Sequence, residues 1–303
     1  LEDSADRGDS YVYQPGQEPP IRTSQLRGAV GEWRQEAFRQ SCVISWNLPL
    51  PKSYDFAASR RAEETVDCPA SLRLSLERGR PYLEIGYEMQ NQAKDHRTRL
   101  LVRTGVKAAE SLADIPFDRV AHSKEDQCPL TVSPVLPNST FAMLQGDGGG
   151  AAVFTAGAHE YEHLEGGVLA FTLLRATGVI SRNSDGRFTN GDTWLAPENQ
   201  CLRAMEGCLA AAFFAPGEDH RAFALAKTFR VPVLAWGTAC DFRKFSGGRP
   251  AVQDSGLAEL FYLPDQNPGL QVPHRQSLAR VEGPGLAVTA LKRAEDGQGL
   301  ILR

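Results

Sequence analysis

The 303-residue sequence lacks the features that most often reveal what a protein does. No apolar run approaches the roughly 20 residues of a membrane-spanning helix, and no signal peptide opens the chain. The net charge is −4 and both signs are mixed along the chain, which gives no basis for binding nucleic acid or an anionic membrane. The glycine cluster at residues 146–150 has no following lysine and no helix signal, so it predicts a hairpin turn and not a phosphate-binding loop. The sequence therefore predicts a globular protein that binds neither nucleic acid nor membrane.

Cysteine is sparse and irregularly spaced. No pair forms Cys-x-x-Cys, which indicates scattered reduced thiols in a cytoplasmic protein. We expect each of them to pack as a small buried side chain. The six are Cys42, Cys68, Cys128, Cys201, Cys208 and Cys240.

One short metal motif is present, but its surroundings argue against a metal site. Residues 159–163 read H-E-Y-E-H, and two histidines four residues apart share a zinc ion only on a helix. Glycines surround this segment, and the apolar run at residues 168–174 suits a buried strand. In an extended chain His159 and His163 would lie roughly 13 Å apart, too far to bind one ion. We therefore expect no metal ligand and no protease active site in this segment.

Strand signals dominate the sequence. Leucines alternate with polar residues at 72–76, and apolar residues alternate at 83–89, with a turn at 78–81 between them, which predicts a β-hairpin. The 28 glycines and 19 prolines supply the many turns that a β protein requires. We predict a large two-layer antiparallel sandwich. Further strands are expected at residues 43–46, 100–104, 151–155, 168–174, 231–235, 257–263, 286–291 and 300–303.

Helix signals are few, and the composition changes near residue 240. Residues 218–229 carry apolar side chains at helical spacing before Pro232, which predicts one helix. Leu202, Met205 and Leu209 also fit a helical face. Loop chemistry after residue 240 indicates a boundary, with a large β-sandwich domain at 1–239 and a smaller β unit at 240–303 that we expect to be truncated. Both chain ends read as cut, so we expect this chain to be part of a longer protein.

A series of short motifs occurs in a fixed order along nearly the whole chain. In this order they resemble the C-terminal β-domain of glycoside hydrolase family 38, the zinc-dependent α-mannosidases, and most of all its bacterial members. The motifs are D-R-G-D-S-Y-V-Y-Q-P at 6–15, N-Q-A-K-D-H-R-T-R at 91–99, P-F-D at 116–118, E-Y-E at 160–162, L-L-R at 173–175, Gly178, S-R at 181–182, P-E-N-Q at 197–200 and A-L-K-R-A-E-D-G at 290–297.

The resemblance implies a fold, an activity and a partner. The fold is a supersandwich like that of galactose mutarotase, and it makes residues 207–214 a strand, so that segment stays ambiguous. The implied activity is retaining hydrolysis of α-mannosides, with the nucleophilic Asp and the zinc ligands in an upstream α/β domain of the same polypeptide. We expect no catalytic residue and no zinc in this chain, which would be inactive alone. A homo-oligomer is compatible with this assignment.

The resemblance also points to residues that would line the sugar site. Tyr11 matches a tyrosine that binds the mannose ring, since a phenol offers a stacking face and a polar tip; a partly buried strand tyrosine is the alternative. Asp9 is the second substrate-binding candidate, or else a turn residue. Four charged residues either face the cleft between the domains or form buried ion pairs that fix a strand crossing. They are Asp95, His96, Arg97 and Arg99.

Two further segments carry charge near the expected cleft. Asp192 and Glu198 flank Trp194 in a loop that could overhang the sugar site, or could simply be solvated. Arg175 ends an apolar strand and is expected to pair with a carboxylate such as Glu160, or with backbone carbonyls.

Two other functions stay open on the same fold. A mutarotase-like sugar epimerase would use His96, or His159 with Glu160, as acid and base in an open pocket. A non-catalytic carbohydrate-binding module would need an exposed aromatic platform, for which four tryptophans are available. They are Trp33, Trp46, Trp194 and Trp236.

Overall fold

The computed structural model describes residues 1–116, 118–123, 135–181, 193–231, 281, 288 and 290–303. Backbone contacts divide the chain into two units, Leu1–Arg230 and Val231–Arg303. The boundary that the sequence predicts between residues 239 and 240 lies outside the described residues and stays a prediction. None of the described helices has the length and apolar character needed to cross a membrane.

In the described part of the first unit, the regular secondary structure consists almost wholly of strands. One α-helix, α1 (Arg221–Arg230), follows the last of them in the described part of this unit. Two 3₁₀ turns occur at Thr23–Gln25 and Pro197–Gln200. The strands are β1 (Glu2–Ala5), β2 (Ile21–Arg22), β3 (Ala29–Val30), β4 (Arg34–Gln35), β5 (Arg39–Pro51), β6 (Tyr54–Asp55), β7 (Arg60–Arg61), β8 (Thr65–Glu77), β9 (Leu83–Gln90), β10 (His96–Arg103), β11 (Glu110–Ile115), β12 (Asp118–Ser123), β13 (Leu136–Pro137), β14 (Phe141–Gly146), β15 (Gly149–Thr155), β16 (Glu160–Leu164), β17 (Val168–Ala176), β18 (Val179–Ser181), β19 (Trp194–Leu195) and β20 (Ala204–Phe214).

These strands form two large antiparallel sheets. The six-stranded sheet has the order β13-β16-β17-β10-β1-β2. The ten-stranded sheet has the order β12-β11-β14-β15-β20-β9-β8-β5-β3, and β4 also pairs with β5. Two small pairs, β6-β7 and β18-β19, stand beside them. The N-terminal strand β1 thus lies inside the six-stranded sheet, between β10 and β2.

The two sheets pack face to face around one apolar core. Leu100, Leu169 and Phe171 of the six-stranded sheet meet Leu144 and Leu209 of the ten-stranded sheet in one buried cluster. Each such side chain contributes about 1.5–3 kcal/mol when it is fully buried. The large antiparallel β-sandwich that the sequence predicts is therefore confirmed.

Helix α1 covers part of the outer face of the ten-stranded sheet. Ala222 and Ala226, one turn apart, are buried against β14, β15 and β20. The Phe223 ring meets the Phe141 ring edge to face, with centroids 5.1 Å apart. Lys227 lies in the last turn, where a cation suits the negative end of the helix dipole. The predicted helix at residues 218–229 is confirmed with slightly later bounds.

Several local predictions are also confirmed. Strands β8 and β9 form the predicted hairpin, with Leu74 opposite Ile85. The H-E-Y-E-H segment lies in and before β16, so it is extended and not helical. Residues 204–214 form strand β20, as the family resemblance implied.

The second unit is described only near its end. Strands β21 (Leu291–Arg293) and β22 (Leu300–Leu302) pair as an antiparallel hairpin, which confirms the strand predicted at residues 300–303. The strands predicted at 231–235 and 257–263 lie outside the described residues, apart from Val231, which is in no strand.

Candidate functional site

Residues 6–15 form a closed loop, here called the tyrosine loop. An antiparallel bridge joins its ends, Asp6 and Pro15. Above this bridge the Arg7 amide donates to the Gln14 carbonyl over 2.9 Å. One oxygen of the buried Asp6 carboxylate accepts the Gly8 amide over 3.0 Å and the Gln14 amide over 3.3 Å. The side chain that starts the loop therefore also holds its backbone closed.

The tip of the tyrosine loop is a tight turn that displays Tyr11. Asp9 Oδ1 accepts the backbone amides of Tyr11 and Val12, each over 2.9 Å. The Asp9 amide donates to the Val12 carbonyl over 3.1 Å, which completes the turn. Tyr11 is 74% exposed. An aspartate in this arrangement restricts the tip before any ligand arrives.

Glycine is required at position 8. A Cβ atom there would lie 1.9 Å from the Val12 carbonyl oxygen and 2.9 Å from the Gln14 amide nitrogen. Real carbon atoms do not approach so closely, so any larger residue would force the two sides of the loop apart.

Three neighbouring segments tie the tyrosine loop to the sandwich. Arg175, near the end of β17, donates to the Asp6 carboxylate over 2.8 Å and to the Asp9 carbonyl over 2.7 Å. The Ser10 amide donates to the Ile180 carbonyl in β18 over 3.2 Å. The Asn199 side chain donates to the Ser10 hydroxyl, also over 3.2 Å. Arg175 therefore pairs with Asp6 and a backbone carbonyl; the suggestion of Glu160 is wrong, because the buried Asp6 carboxylate lies beside the guanidinium.

Strand β1 carries acidic residues into the interior of the sheet. Asp3 accepts hydrogen bonds from Arg61 over 2.5 Å and from Thr98 over 3.1 Å, and it contacts His96 Nδ1 over 2.6 Å. His96 Nε2 faces Asn91 Oδ1 over 3.0 Å. The Asn91 amide nitrogen is engaged by two backbone carbonyls, so its oxygen is the group that faces the ring. Both ring nitrogens of His96 therefore have a polar partner in the interior of the sheet.

A second buried ion-pair network joins four strands of the six-stranded sheet, β1, β2, β10 and β16. Glu162 of β16 contacts Arg97 over 2.8 Å and Arg99 over 2.7 Å. Glu2 pairs with Arg99 on its other side and with Arg22 over 2.8 Å. In addition, the Arg97 guanidinium carbon lies 3.4 Å from the centre of the Tyr13 ring. Such networks fix the positions of strands, because removing one member leaves a buried charge without its partner.

The buried charged groups on β1 and β10 shift one another's pKa values. Burial alone would raise the pKa of Glu2, but Arg99 and Arg22 together outweigh it, so the pKa of Glu2 lies below its usual value. Burial likewise opposes ionisation of Asp3, but His96 and Arg61 outweigh it and the pKa of Asp3 is lowered. Burial would lower the pKa of Arg99, while Glu162 and Glu2 raise it above its usual value. All three groups are therefore held in their charged forms near neutral pH.

Asp95 and Gln200 form a reciprocal pair beside the tyrosine loop. Gln200 Nε2 donates to the Asp95 carboxylate over 2.7 Å, and the Asp95 amide donates to Gln200 Oε1 over 2.9 Å. The Asp95 carbonyl then accepts the Asp6 amide over 2.9 Å. Gln200 is the last residue of the P-E-N-Q motif, whose role the sequence did not reveal.

The structure brings some of the predicted site residues together. Tyr11 and Asp9 share the tip of the tyrosine loop, and Asp95 contacts the start of that loop. By contrast, His96, Arg97 and Arg99 are buried in the two ion-pair networks, the arrangement expected of the structural alternative. Their cleft-facing role stays a prediction, as does the sugar role of the loop. Asp192 lies outside the described residues.

Sequence reasoning missed the partners of these residues. Asp3 contacts His96, and Glu162 contacts both Arg97 and Arg99. Gln200 and the Asp6 amide both contact Asp95. The signal that could have found Asp6 and Gln200 was their place in the shared motifs.

The described residues do not form the acid–base site that an epimerase requires. The His96–Asp3 pair is buried, with His96 0% exposed. His159 is exposed and precedes a strand. An open groove of about 650 Å³ on the ten-stranded sheet is lined by Glu88 and Glu206, and no histidine lines it. Among the residues that the structure describes, no three His, Cys, Asp or Glu side chains are grouped to hold a metal ion.

The cysteines follow the prediction in part. Cys42 and Cys68 are buried, while Cys201 and Cys208 are partly exposed, and all four are reduced. Cys128 and Cys240 lie outside the described residues.

One family model matches more than half of the chain. Residues 1–179 match the family model described as "Glycosyl hydrolases family 38 C-terminal domain". The curated protein named "Putative mannosylglycerate hydrolase" of Halalkalibacterium halodurans is 28% identical over 247 residues, which cover 80% of this chain and 23% of that protein.

Two solved structures share the fold. An alpha-mannosidase from Enterococcus faecalis V583 has a TM-score of 0.68 at 20% identity, covering 76% of this chain and 27% of its own. A glycosyl hydrolase family 38 protein from Enterococcus faecalis has a TM-score of 0.66 at 21% identity, covering 76% of this chain and 28% of its own. The chain thus spans about a quarter of the length of these relatives.

Proposed function

Because the chain belongs to the glycoside hydrolase family 38 C-terminal domain family, we propose that it forms one wall of the sugar site of a retaining, zinc-dependent α-mannosidase. An upstream α/β domain of the same polypeptide would carry the nucleophilic Asp and the zinc ligands. The observation that carries the proposal is the tyrosine loop, which holds an exposed phenol on a backbone fixed at its ends and its tip. The scattered thiols support a cytoplasmic enzyme.

Within this proposal the residues of the tyrosine loop have separate tasks. The Tyr11 ring packs against the apolar face of the mannose ring, and its hydroxyl exchanges a hydrogen bond with a sugar hydroxyl. Asp9 uses one carboxylate oxygen to hold the turn, so it acts on substrate chiefly by placing Tyr11. Arg175 donates a hydrogen bond to the Asp9 carbonyl and so also holds this turn in place. Zinc on the upstream domain would supply Lewis acidity and hold sugar hydroxyls.

The proposal is tested by comparing this chain with the longer protein that includes the upstream domain. An aryl α-mannoside should be hydrolysed only by the longer protein. Tyr11→Phe in that protein should lower kcat/KM about tenfold, because a lost hydrogen bond of about 1.4 kcal/mol has that effect. Tyr11→Ala should lower it further, since the stacking face is also lost.

Trp33 provides the matched control. It is 68% exposed, close to the exposure of Tyr11, and it lies before β4 at the edge of the ten-stranded sheet. Trp33→Ala should leave kcat/KM unchanged. Turnover by this chain alone, or full activity in Tyr11→Ala, would reject the proposal.

A carbohydrate-binding module is the second candidate, and exposed aromatic residues favour it. Trp33 and Trp194 are 68% and 63% exposed, and such rings can stack on sugars. This candidate predicts that the chain alone binds mannose in calorimetry, and that Trp194→Ala weakens the binding. The mannosidase proposal expects no measurable binding without the upstream wall of the site.

A further inference from the structure

Gln200 joins the sandwich to the tyrosine loop. Its side-chain amide donates to and accepts from Asp95, over 2.7 Å and 2.9 Å. The Asp95 carbonyl accepts the amide of Asp6, the first residue of the loop. At Gly178 a Cβ atom would lie 2.8 Å from Gln200 Nε2, so the absence of a side chain there makes room for this geometry. One amide side chain thus restrains the peptide from which the loop starts.

Asp95 needs this restraint because its backbone is strained. Its φ of 55° lies in the left-handed region, which residues with a side chain rarely adopt. The two hydrogen bonds with Gln200 offset that cost. Without them the Asp95 peptide is free to relax toward a right-handed or extended conformation, which would turn its carbonyl away from Asp6.

The turn that carries Gln200 is itself fixed and reaches the loop a second time. The Asn91 side chain donates to the Gln200 carbonyl over 2.9 Å. The neighbouring Asn199 donates to the Ser10 hydroxyl, next to Tyr11. The 3₁₀ turn therefore contacts the tip of the tyrosine loop directly and restrains its start through Asp95.

From this geometry we propose that Gln200 is a positioning residue, which sets where the tyrosine loop places Tyr11 against its substrate. The substrate in this inference rests on the proposed function. The restraint on the loop does not, because it can be measured in the chain without any activity.

The first experiment measures hydrogen–deuterium exchange in the chain carrying Gln200→Met. Methionine keeps the length of the side chain and removes both hydrogen bonds to Asp95. We expect the protected amides of residues 7–14 to exchange about tenfold faster. This is the effect of losing one hydrogen bond that restrains the loop, here the bond from the Asp6 amide to the Asp95 carbonyl. Unchanged exchange in the loop of a folded variant would overturn the inference.

Asn138→Leu is the matched control. Asn138 is also a buried amide side chain, but it bonds Thr155 and not the tyrosine loop. It should change the stability of the chain without a selective change in residues 7–14. Equal loosening of the loop in both variants would mean that Gln200 acts only through global stability, and would also overturn the inference.

Gln200→Glu gives a signature that a purely structural role lacks. At neutral pH the new carboxylate faces that of Asp95, and the loop should loosen. As the pH falls, one of the two carboxyl groups takes up a proton and can again donate, so protection relative to the original chain at the same pH should return. Gln200→Met has no such group and should not recover. A glutamate variant without recovery would contradict the proposed pairing, whether or not the methionine variant folds.

Kinetics in the longer protein separate this inference from the proposed function. Gln200→Met should lower kcat/KM, and combined with Tyr11→Phe the two losses should be less than additive, because both act through one phenol. A loosened loop with no kinetic effect of either substitution rejects the sugar role of Tyr11 and the substrate part of this inference. A kinetic effect of Tyr11→Phe with none from Gln200→Met rejects Gln200 as a positioning residue and leaves the proposed function standing.

Discussion

Glu162→Gln tests whether the ion pairs of Arg97 and Arg99 stabilise the folded sandwich. Glu162 contacts Arg97 over 2.8 Å and Arg99 over 2.7 Å, and all three side chains are buried. Glutamine preserves the volume, so the change removes charge and not packing. Breaking a buried ion pair of this kind costs about 3–5 kcal/mol, because the remaining cations cannot reach water. At about 2–4 °C per kcal/mol for a unit of this size, Tm should fall by about 10 °C.

Denaturant and thermal unfolding of the variant chain measure this effect. Glu206→Gln, at an exposed position opposite Glu88, is the control and should change the free energy of unfolding by at most about 0.5 kcal/mol. In an Arg97→Met background Glu162→Gln should cost less, since one of its two partners is already gone. A loss below about 1 kcal/mol in the original background, the range of exposed pairs, would refute the structural assignment of the network.

Three further predictions concern acidity, the tyrosine loop and a thiol. Folding lowers the pKa values of Glu2 and Asp3, so these two carboxylates stabilise the folded chain above their unfolded pKa values of about 4.3 and 3.9, and this stabilisation is lost as the pH falls through the folded pKa values. Urea unfolding from pH 7 to pH 3 should show this loss, and the free energy of unfolding of Glu2→Gln/Asp3→Asn should depend less on pH. Gly8→Ala should open the tyrosine loop, because its Cβ would lie 1.9 Å from the Val12 carbonyl oxygen, and limited proteolysis should then cut the loop; a loop that stays resistant would contradict this. Burial raises the pKa of the Cys208 thiol to about 11, so iodoacetamide at pH 8 should label it slowly until the chain is unfolded, and rapid labelling of the folded chain would contradict this.

The sequence predicts best the strands that have one buried face and one solvent-exposed face. Leu72 and Leu74 alternate with polar residues because one side of β8 meets the core and the other is more exposed. Strand β20 shows no such alternation. Leu209 and Ala211 face the sandwich core, while Ala210 and Ala212 lie under α1, so both sides of that part of the strand are apolar. Helical and extended readings of this segment therefore could not be separated from the sequence.

The candidate site is harder to read from the sequence, because its contacts are distant along the chain. The motifs identified Tyr11 and Asp95 as residue types in the right order. The partner of Asp6 is Arg175, 169 positions away, and the partner of Asp95 is Gln200, 105 positions away. Local periodicity and motif spacing cannot predict such pairs. Only the assembly of the six-stranded sheet and the 3₁₀ turn brings these residues together.

The position of the tyrosine loop follows from the strand that precedes it. Strand β1 is held in the sheet by Glu2 and Asp3, and the chain then enters the loop at Asp6, which is bound by Arg175. The base of the loop cannot shift without disturbing buried charges. The entropic cost of ordering the loop is therefore already met when the sandwich folds. On the proposed function, the backbone of Tyr11 then needs little further ordering when a sugar binds, which favours a preformed site over closure of a flexible loop.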